Sequence, residues 1–325
     1  MGSSIKWNDE VKIIISDVDE TIADLYVSAE PEMIKRLETL LEEGKMLFLI
    51  SGQSVQSIQK RIVNHIKKEL RRQIIIGHCS GAEVWGFNKD GNLQVKPFYS
   101  LYENCFSTYQ KKKWREIIKQ LISEFKLKVF STMPIKEFEK KAGDNPLAIM
   151  VEYRGPQITF EIVNGYKLSS EKINEIKKII PKIGVINDLR IPILNRAEKL
   201  FKEAKLPITP RLAGVFALDF TIKGVSKTTS IKYVVKNDAI LSEFDLTKEL
   251  LNNPRNIEIW GDKFSKIRGG TDRYMSEALP KEVRSISFRK ENPKEFPKGY
   301  NIVIWNGKKH LHKGLLEYLK TSSKI

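Results

Sequence analysis

The feature that most constrains the fold is an alternation of short apolar runs with amphipathic segments over residues 11–78. The runs have the length of strands and the near-continuous apolar character of strands buried on both faces of a sheet. Between them lie segments with the helical period, the first starting at Pro31 and ending at Gly44. Repeats of this kind predict a doubly wound parallel sheet. The runs are VKIIIS (11–16), MLFLISG (46–52) and QIIIGH (73–78), and the second helical segment is SVQSIQKRIVNHIKKELRR.

After FNKDGN at 87–92 the pattern changes. Two neighbouring segments, LAIMVEYRG (147–155) and QITFEIVNG (157–165), alternate apolar and polar residues, which predicts an antiparallel hairpin around Arg154. We therefore predict an α/β, Rossmann-like core made of residues 1–87 and 219–325, with an α+β domain of residues 88–218 inserted between its halves. We expect this insertion to act as a lid. The other predicted elements are helices near 111–126, 169–180, 193–204 and 226–236 and strands at 215–222, 256–260, 285–288 and 300–307.

Three carboxylates follow the first apolar run within four positions, in the segment DVDET. Carboxylates at the end of a buried strand repel one another and lose hydration unless a cation compensates them or a turn carries them to a cleft. Open α/β sheets bind ligands at the carboxyl ends of their strands, so Asp17, Asp19 and Glu20 are candidate site residues. In the alternative interpretation Asp17 caps the next helix and Asp19 is solvated.

Three more segments end strands or begin helices on the same side of the predicted sheet: Ser51-Gly52-Gln53, Lys227 and GDKFSKIRGGTD (261–272). Carboxylates of the first and last segments are hard oxygen ligands suited to Mg²⁺. A carboxylate freed from repulsion by the metal can attack phosphorus, which makes Asp17 a candidate nucleophile. The Ser51 hydroxyl and nearby backbone N–H groups such as that of Gly52 can hold phosphoryl oxygens, and Lys227 can supply positive charge. Asp19 can protonate the leaving oxygen and later activate water.

Composition indicates whether the chain is globular, spans a membrane or is secreted. The apolar content of 41% suffices for real cores, no segment is apolar enough to span a membrane, and no apolar signal region starts the chain. The two cysteines lie far apart, so we expect a reduced, cytoplasmic protein. The net charge of +16 invites a nucleic-acid interpretation, but it comes mostly from scattered lysines rather than from arginines. We expect most of these lysines to be solvated.

The four segments, which contain Asp17, Ser51, Lys227 and Asp262 in this order along the chain, resemble the four motifs of the haloacid dehalogenase (HAD) superfamily. The segment HCSGAEVWGFNKDG (78–91) is similar to one in the Cof-type sugar phosphatases. Three other segments, VEYRG (151–155), GVSKTTSIKYV (224–234) and GDKFSKIRGGTD, are similar to segments of eukaryotic phosphomannomutases. The resemblance implies that the insertion is a large α+β, C2-type cap that confers substrate specificity.

The resemblance also implies roles for individual residues. Asp17 would be the nucleophile and Asp19 the acid/base, while Ser51 and Lys227 would bind phosphate. The Mg²⁺ ligands would be Asp17, the backbone carbonyl of Asp19, Asp262 and, directly or through water, Asp272.

The sequence departs from the pattern of the family in several places. Glu20 stands where glycine is usual, and Thr271 replaces the usual asparagine before the last acid of a segment that is also longer than in the mutases. After Arg154, a serine and an arginine that grip a second phosphate in the mutases are missing, and Glu161 lies in the corresponding stretch. Arg154 itself is a candidate substrate contact or else an exposed residue of the hairpin.

We therefore predict a Mg²⁺-dependent phosphomonoesterase that acts through an aspartyl phosphate on a phosphorylated sugar or a similar small metabolite. One alternative is a phosphomannomutase-like hexose-phosphate mutase, for which Lys167 or Arg190 would have to supply the missing charge. Another is a nucleic-acid-directed phosphatase or a basic nucleic-acid-binding protein.

Overall fold

A computed structural model describes residues 5–184, 187–267 and 269–322. Its strands, in chain order, are β1 (Ile13–Asp17), β2 (Met46–Ile50), β3 (Ile74–His78), β4 (Glu83–Trp85), β5 (Tyr99–Ser100), β6 (Lys128–Phe130), β7 (Ala148–Tyr153), β8 (Gln157–Glu161), β9 (Ile208–Ala213), β10 (Ala217–Ile222), β11 (Ile257–Gly261), β12 (Arg284–Ser287) and β13 (Ile302–Ile304).

The helices alternate with these strands along much of the chain. They are α1 (Pro31–Glu42), α2 (Val55–Arg61), α3 (Leu101–Cys105), α4 (Thr108–Glu124), α5 (Ile135–Ala142), α6 (Ser170–Ile179), α7 (Arg190–Glu203), α8 (Lys227–Lys236), α9 (Asp238–Ser242), α10 (Lys248–Leu251), α11 (Arg273–Ser276) and α12 (Leu311–Leu319). Within the described residues, none of these helices is long and apolar enough to cross a membrane.

The chain divides into two compact units, one of residues 1–100 and 225–325 and the other of residues 101–224. The first unit contains an eight-stranded sheet in the order β13-β12-β11-β1-β2-β3-β4-β5. Its strands from β13 to β3 are parallel, and β4 and β5 pair antiparallel at one edge. The strands after β1 extend the sheet in one direction and those after β11 in the other, so the order reverses between β1 and β11. This arrangement is the doubly wound α/β fold that the sequence predicts.

The parallel strands are buried because helices pack on both faces of such sheets. Every residue of β2, β3 and β11 is buried. Helix α1 turns Met33, Leu37 and Leu40 toward the same core. This rigid layer fixes the carboxyl ends of the strands, where polar side chains follow.

The second unit contains a five-stranded sheet in the order β6-β7-β8-β10-β9. β7 and β8 form the predicted antiparallel hairpin, closed by a hydrogen bond from Arg154 N–H to the carbonyl of Gln157. β10 lies between β8 and β9, antiparallel to both. The aromatic rings of Phe160, Phe201 and Phe220 pack together in the core of this unit.

Some elements differ from the prediction. The second helix was expected over 54–72, but α2 ends at Arg61 and short 3₁₀ turns follow at 63–65 and 68–73. The chain leaves helical geometry at Ile62 (φ −132°), where the β-branched, buried pair Ile62-Val63 has low helix propensity.

The inserted segment was predicted as 88–218, whereas the second unit spans 101–224 and the stretch through Ser100 belongs to the first unit.

Candidate active site

Carboxylates of the first and fourth sequence segments lie together at the carboxyl ends of adjacent strands. β1 ends at Asp17, and β11 ends at Gly261, directly before Asp262. Because β1 and β11 are parallel neighbours, both acids lie at the edge where the strand order reverses. Carboxylate oxygens of Asp17, Asp262 and Asp272 lie within 4.8 Å of one another. The sheet therefore assembles three acids that are up to 255 positions apart, from 17 to 272.

Lys227, the first residue of α8, bridges two of these acids. Its ammonium donates to Asp17 Oδ1 at 2.6 Å and to Asp272 Oδ1 at 2.8 Å. The side chain is 3% exposed, and burial disfavours its charge, but the carboxylates of Asp17 and Asp272 outweigh burial and raise the pKa of Lys227 above its ordinary value. The two carboxylates therefore favour the charged form of Lys227 beside Asp17.

Asp272 also organises the turn that follows β11. Its Oδ2 accepts hydrogen bonds from the backbone N–H groups of Asp262 and Lys263, each at 2.9 Å. Gly261 permits this approach, since a Cβ there would lie 2.7 Å from Asp272 Oδ2. Although this segment is longer than in the mutases and carries Thr271, its last acid, Asp272, still lies beside Asp17 and Asp262.

The acids are held in an environment that resists their negative charge. Burial raises the pKa of Asp17 well above its ordinary value; repulsion from Asp272, Asp262 and Asp19 adds to this, and Lys227 opposes it. Burial also raises the pKa of Asp262 to about 6, with repulsion from Asp272 in the same direction. A divalent cation would relieve this repulsion, and the three carboxylates are the oxygen ligands that hard cations prefer. The donor set therefore fits a metal ion such as Mg²⁺.

A second cationic group, which sequence reasoning missed, pairs with Asp262. Arg289 donates to Asp262 Oδ2 at 2.7–2.9 Å and to Glu20 Oε2 at 2.6 Å. Lys263 also reaches Glu20 Oε2, at 3.0 Å. Arg289 follows β12, the neighbour of β11, so its position after an apolar run was the available signal. Glu20, which stands where glycine is usual, thus pairs with two basic side chains, those of Arg289 and Lys263.

Asp19 and Ser51 are joined directly. The Ser51 hydroxyl, at the end of β2, donates to Asp19 Oδ2 at 3.0 Å and accepts from the backbone N–H of Gln53 at 3.1 Å. Asp19 Oδ1 accepts from Arg61 at 2.7 Å. Sequence reasoning missed Arg61, because a basic residue near the end of a predicted amphipathic helix is usually a solvated one.

The turn after β3 supports the Ser51 segment. The backbone N–H of Ser80 donates to the carbonyl of Ser51 at 2.8 Å, and that of Cys79 donates to the carbonyl of Gln53 at 3.0 Å. Cys79 and Ser80 have φ of 49° and 61°, a left-handed conformation that costs free energy for residues with a side chain. Gly52, which is exposed, lies between the two supported carbonyls.

Arg154 lies in the second unit, in a group of polar side chains on β7, β8 and β10. Its side chain is 9% exposed and pairs with Glu152, and it lies 3.7 Å from Glu161, so it is not an exposed hairpin residue. Burial raises the pKa of Glu161 to about 7, although Arg154 opposes the shift. Glu161 Oε2 and Gln157 Oε1 are buried acceptors without a hydrogen-bond partner among the described residues. Arg190 is engaged by Asp188 and by the carbonyl of Val215.

Comparisons with known proteins bear on the fold. No protein-family model and no curated protein sequence matches the chain. Among solved structures, the chain is similar to a trehalose-6-phosphate phosphatase related protein, with 11% identity over 95% of each chain and a TM-score of 0.50. It is also similar to a candidate phosphatase from Eubacterium rectale, with 14% identity over 96% of this chain and 99% of that one and a TM-score of 0.50.

A phosphatase of the haloalkanoate (HAD) superfamily from Bacteroides thetaiotaomicron shares 14% identity over 99% of this chain and 100% of that one, with a TM-score of 0.49. At such identities the likeness concerns the fold. The predicted fold class is confirmed by the sheet topology and by this likeness of fold.

Proposed function

We propose that this chain, which has the fold of those phosphatases, is a Mg²⁺-dependent phosphomonoesterase of the HAD superfamily. Its substrate would be a phosphorylated sugar or a similar small metabolite. The observation that carries the proposal is the cluster at the end of β1, in which Asp17 lies with Asp262 and Asp272 and is bridged to Asp272 by Lys227. A nucleophile, metal ligands and a fixed cation at the reversal point of a doubly wound sheet are the parts that phosphoryl transfer through an aspartate requires.

The proposed reaction has two halves. A carboxylate oxygen of Asp17 forms a bond to phosphorus while the bond from phosphorus to the ester oxygen breaks, and Asp19 gives its proton to the departing oxygen. In the second half Asp19 takes a proton from water, which attacks the aspartyl phosphate and releases inorganic phosphate and free Asp17. Lys227 and the Ser51 hydroxyl would bind the phosphoryl oxygens. When bound by Asp17, the Asp19 carbonyl, Asp262 and Asp272, Mg²⁺ would supply charge that offsets repulsion between carboxylate and phosphate.

The second unit would discriminate between substrates. It contains the buried acids Glu161 and Asp219, together with the partly exposed Glu152, beside Arg154 and Arg211. Glu161 Oε2 and Gln157 Oε1, which accept no hydrogen bond within the described part of the chain, suit a donor such as a sugar hydroxyl better than an anion. A mutase must hold a second phosphate, and Arg190 is already engaged by Asp188. These contacts favour hydrolysis over mutase activity, and Arg154 stays a proposed substrate contact.

The test is hydrolysis of p-nitrophenyl phosphate with and without Mg²⁺. We expect turnover that EDTA abolishes and Mg²⁺ restores. Asp17→Asn should lower kcat at least ~10³-fold, because an amide is a poor nucleophile. Asp245→Asn, at an exposed position, is the matched control and should keep full activity. A folded Asp17→Asn protein with wild-type turnover would remove Asp17 from the role of nucleophile.

The mutase alternative is tested with mannose 1-phosphate or glucose 1-phosphate, a bisphosphate activator and ³¹P NMR. We expect inorganic phosphate to be the new signal. Accumulation of the 6-phosphate without matching release of phosphate would establish the mutase instead.

A further inference from the structure

A buried arginine contacts the carboxylate that would act as the acid and base. Arg61 ends α2 and is 5% exposed. Its Nη1 donates to Asp19 Oδ1 at 2.7 Å, its Nε to the carbonyl of Val27 at 2.8 Å and its Nη2 to the carbonyl of Asp24 at 2.8 Å. Of these three acceptors, that of Asp19 is a carboxylate oxygen and the other two are backbone carbonyls. A buried guanidinium with this partner forms a strong, directional contact.

We propose that Arg61 is the positioning residue for Asp19, holding one carboxylate oxygen so that the other can exchange a proton with the ester oxygen. The proposal rests on the function proposed above. Asp19 Oδ2 accepts from the Ser51 hydroxyl at 3.0 Å. A hydroxyl has one proton to donate, so Ser51 releases Oδ2 when it binds a phosphoryl oxygen. Arg61 then continues to hold Oδ1, and the carboxylate keeps its orientation at the moment when it must act.

The same guanidinium holds the segment that follows Asp19. Residues 25–27 carry the exposed apolar side chains of Leu25, Tyr26 and Val27, which are 42%, 48% and 51% exposed. Tyr26 adopts a left-handed φ of 60°. Because these side chains are exposed to this degree, the charged hydrogen bonds from Arg61 to the carbonyls of Asp24 and Val27 are important in holding the turn. Loss of Arg61 should therefore loosen Asp19 and this turn together.

A purely structural arginine would affect folding and nothing else, so the experiment must separate the two roles. We would measure kcat and KM for p-nitrophenyl phosphate and phenyl phosphate with the wild type, Arg61→Ala, Asp19→Asn and the double variant. Phenolate is the poorer leaving group and depends more on protonation. Lys60→Ala removes the exposed neighbouring cation of α2 and is the matched control.

We expect Arg61→Ala to lower kcat about 10- to 100-fold with little change in KM, since a misplaced catalytic group costs that much. The loss should be larger with phenyl phosphate. In the Asp19→Asn background, removal of Arg61 should change kcat less than about threefold, because the two residues act as one unit. Added guanidinium ion should restore part of the activity of Arg61→Ala and none of the double variant. Should Arg61→Ala fail to fold, Arg61→Lys replaces it and should give an intermediate kcat.

Equal losses from Arg61→Ala in both backgrounds, or a loss that only follows the unfolded fraction, would overturn the proposal. Amide hydrogen exchange of residues 20–27 gives a readout that needs no activity: exchange should rise in Arg61→Ala and not in Lys60→Ala. A wild-type protein inactive on both aryl phosphates would refute the proposed function. Unchanged exchange in Arg61→Ala would refute the positioning role of Arg61 by itself.

Discussion

Glu20 occupies a backbone conformation that favours glycine. Its φ is 62°, and its N–H donates to the carbonyl of Ala23 at 2.7 Å in the turn after β1. A side chain in this left-handed region costs about 1 kcal/mol or more. The turn keeps this geometry because Arg289 and Lys263 bind the Glu20 carboxylate. Glu20 thus has an unfavourable backbone conformation and forms two ion pairs beside Asp262.

The cost of this conformation is measurable by comparing Glu20→Gly with Glu20→Ala. Both variants lose the ion pairs, so their difference reports on the backbone alone. We expect the glycine variant to have the higher free energy of unfolding by about 1 kcal/mol, although glycine is ordinarily the less favourable residue. Urea denaturation of the two proteins measures this difference. Equal stabilities would show that the left-handed conformation at residue 20 carries no strain.

At the scale of elements, the turn between β3 and β4 is fastened by a buried ion pair. His78 Nε2 lies 2.9 Å from Glu83 Oε2, and the Ser100 hydroxyl donates to Glu83 Oε1 at 2.6 Å. Burial disfavours the imidazolium, but Cys79 and Glu83 outweigh burial and raise the pKa of His78 to about 9. The same contacts hold β5 on β4 and support the turn whose N–H groups bind the Ser51 segment.

This ion pair predicts a dependence of stability on pH. Because the pKa of His78 is raised from 6.5 to about 9 on folding, its contribution is complete below pH 6.5 and is lost as the pH rises through 9. The difference in free energy of unfolding between the wild type and His78→Gln should therefore shrink between about pH 6 and about pH 9.5, by at most about 3 kcal/mol. His65→Gln, at an exposed site, is the control. A difference that stays constant over this range would contradict the charged state of His78.

At the scale of the whole molecule, the second unit is a continuous stretch with its own core. Residues 101–224 contain the five-stranded sheet and the cluster of Phe160, Phe201 and Phe220, with ring centroids 4.9 and 6.0 Å apart. A segment of this length with a separate core is of ordinary domain size. Chain continuity and core together indicate a unit that can fold by itself.

We therefore expect an isolated fragment of residues 101–224 to unfold cooperatively and to give a dispersed NMR spectrum. Phe220→Ala in the fragment should lower its free energy of unfolding by about 3–5 kcal/mol, since the ring is fully buried. Tyr109→Ala, at a position that is 73% exposed, is the control and should be close to neutral. A fragment without a cooperative transition would show that the inserted unit depends on the rest of the chain.

The sequence by itself determined the parts that depend on local pattern. Apolar runs the length of strands predicted β1, β2, β3 and β11, because a strand buried on both faces is apolar throughout. Alternation predicted the β7–β8 hairpin, because a strand buried on one face alternates apolar and polar residues. Position relative to these strands then indicated Asp17, Ser51, Lys227 and Asp262 as candidate site residues, since parallel strands present their carboxyl ends at one edge.

Tertiary structure decided the contacts between groups far apart in the chain. Arg61 and Arg289 lie 42 and 27 positions from the acids they bind, and no local period marks a basic residue that folds inward rather than into solvent. The end of α2 at Arg61 was likewise missed. The low helix propensity of Ile62 and Val63 is only a weak signal in the sequence, and the packing of these buried side chains fixes the break. Charge pairing in a buried site depends on distances of a few ångströms, and those distances exist only once the strands are assembled.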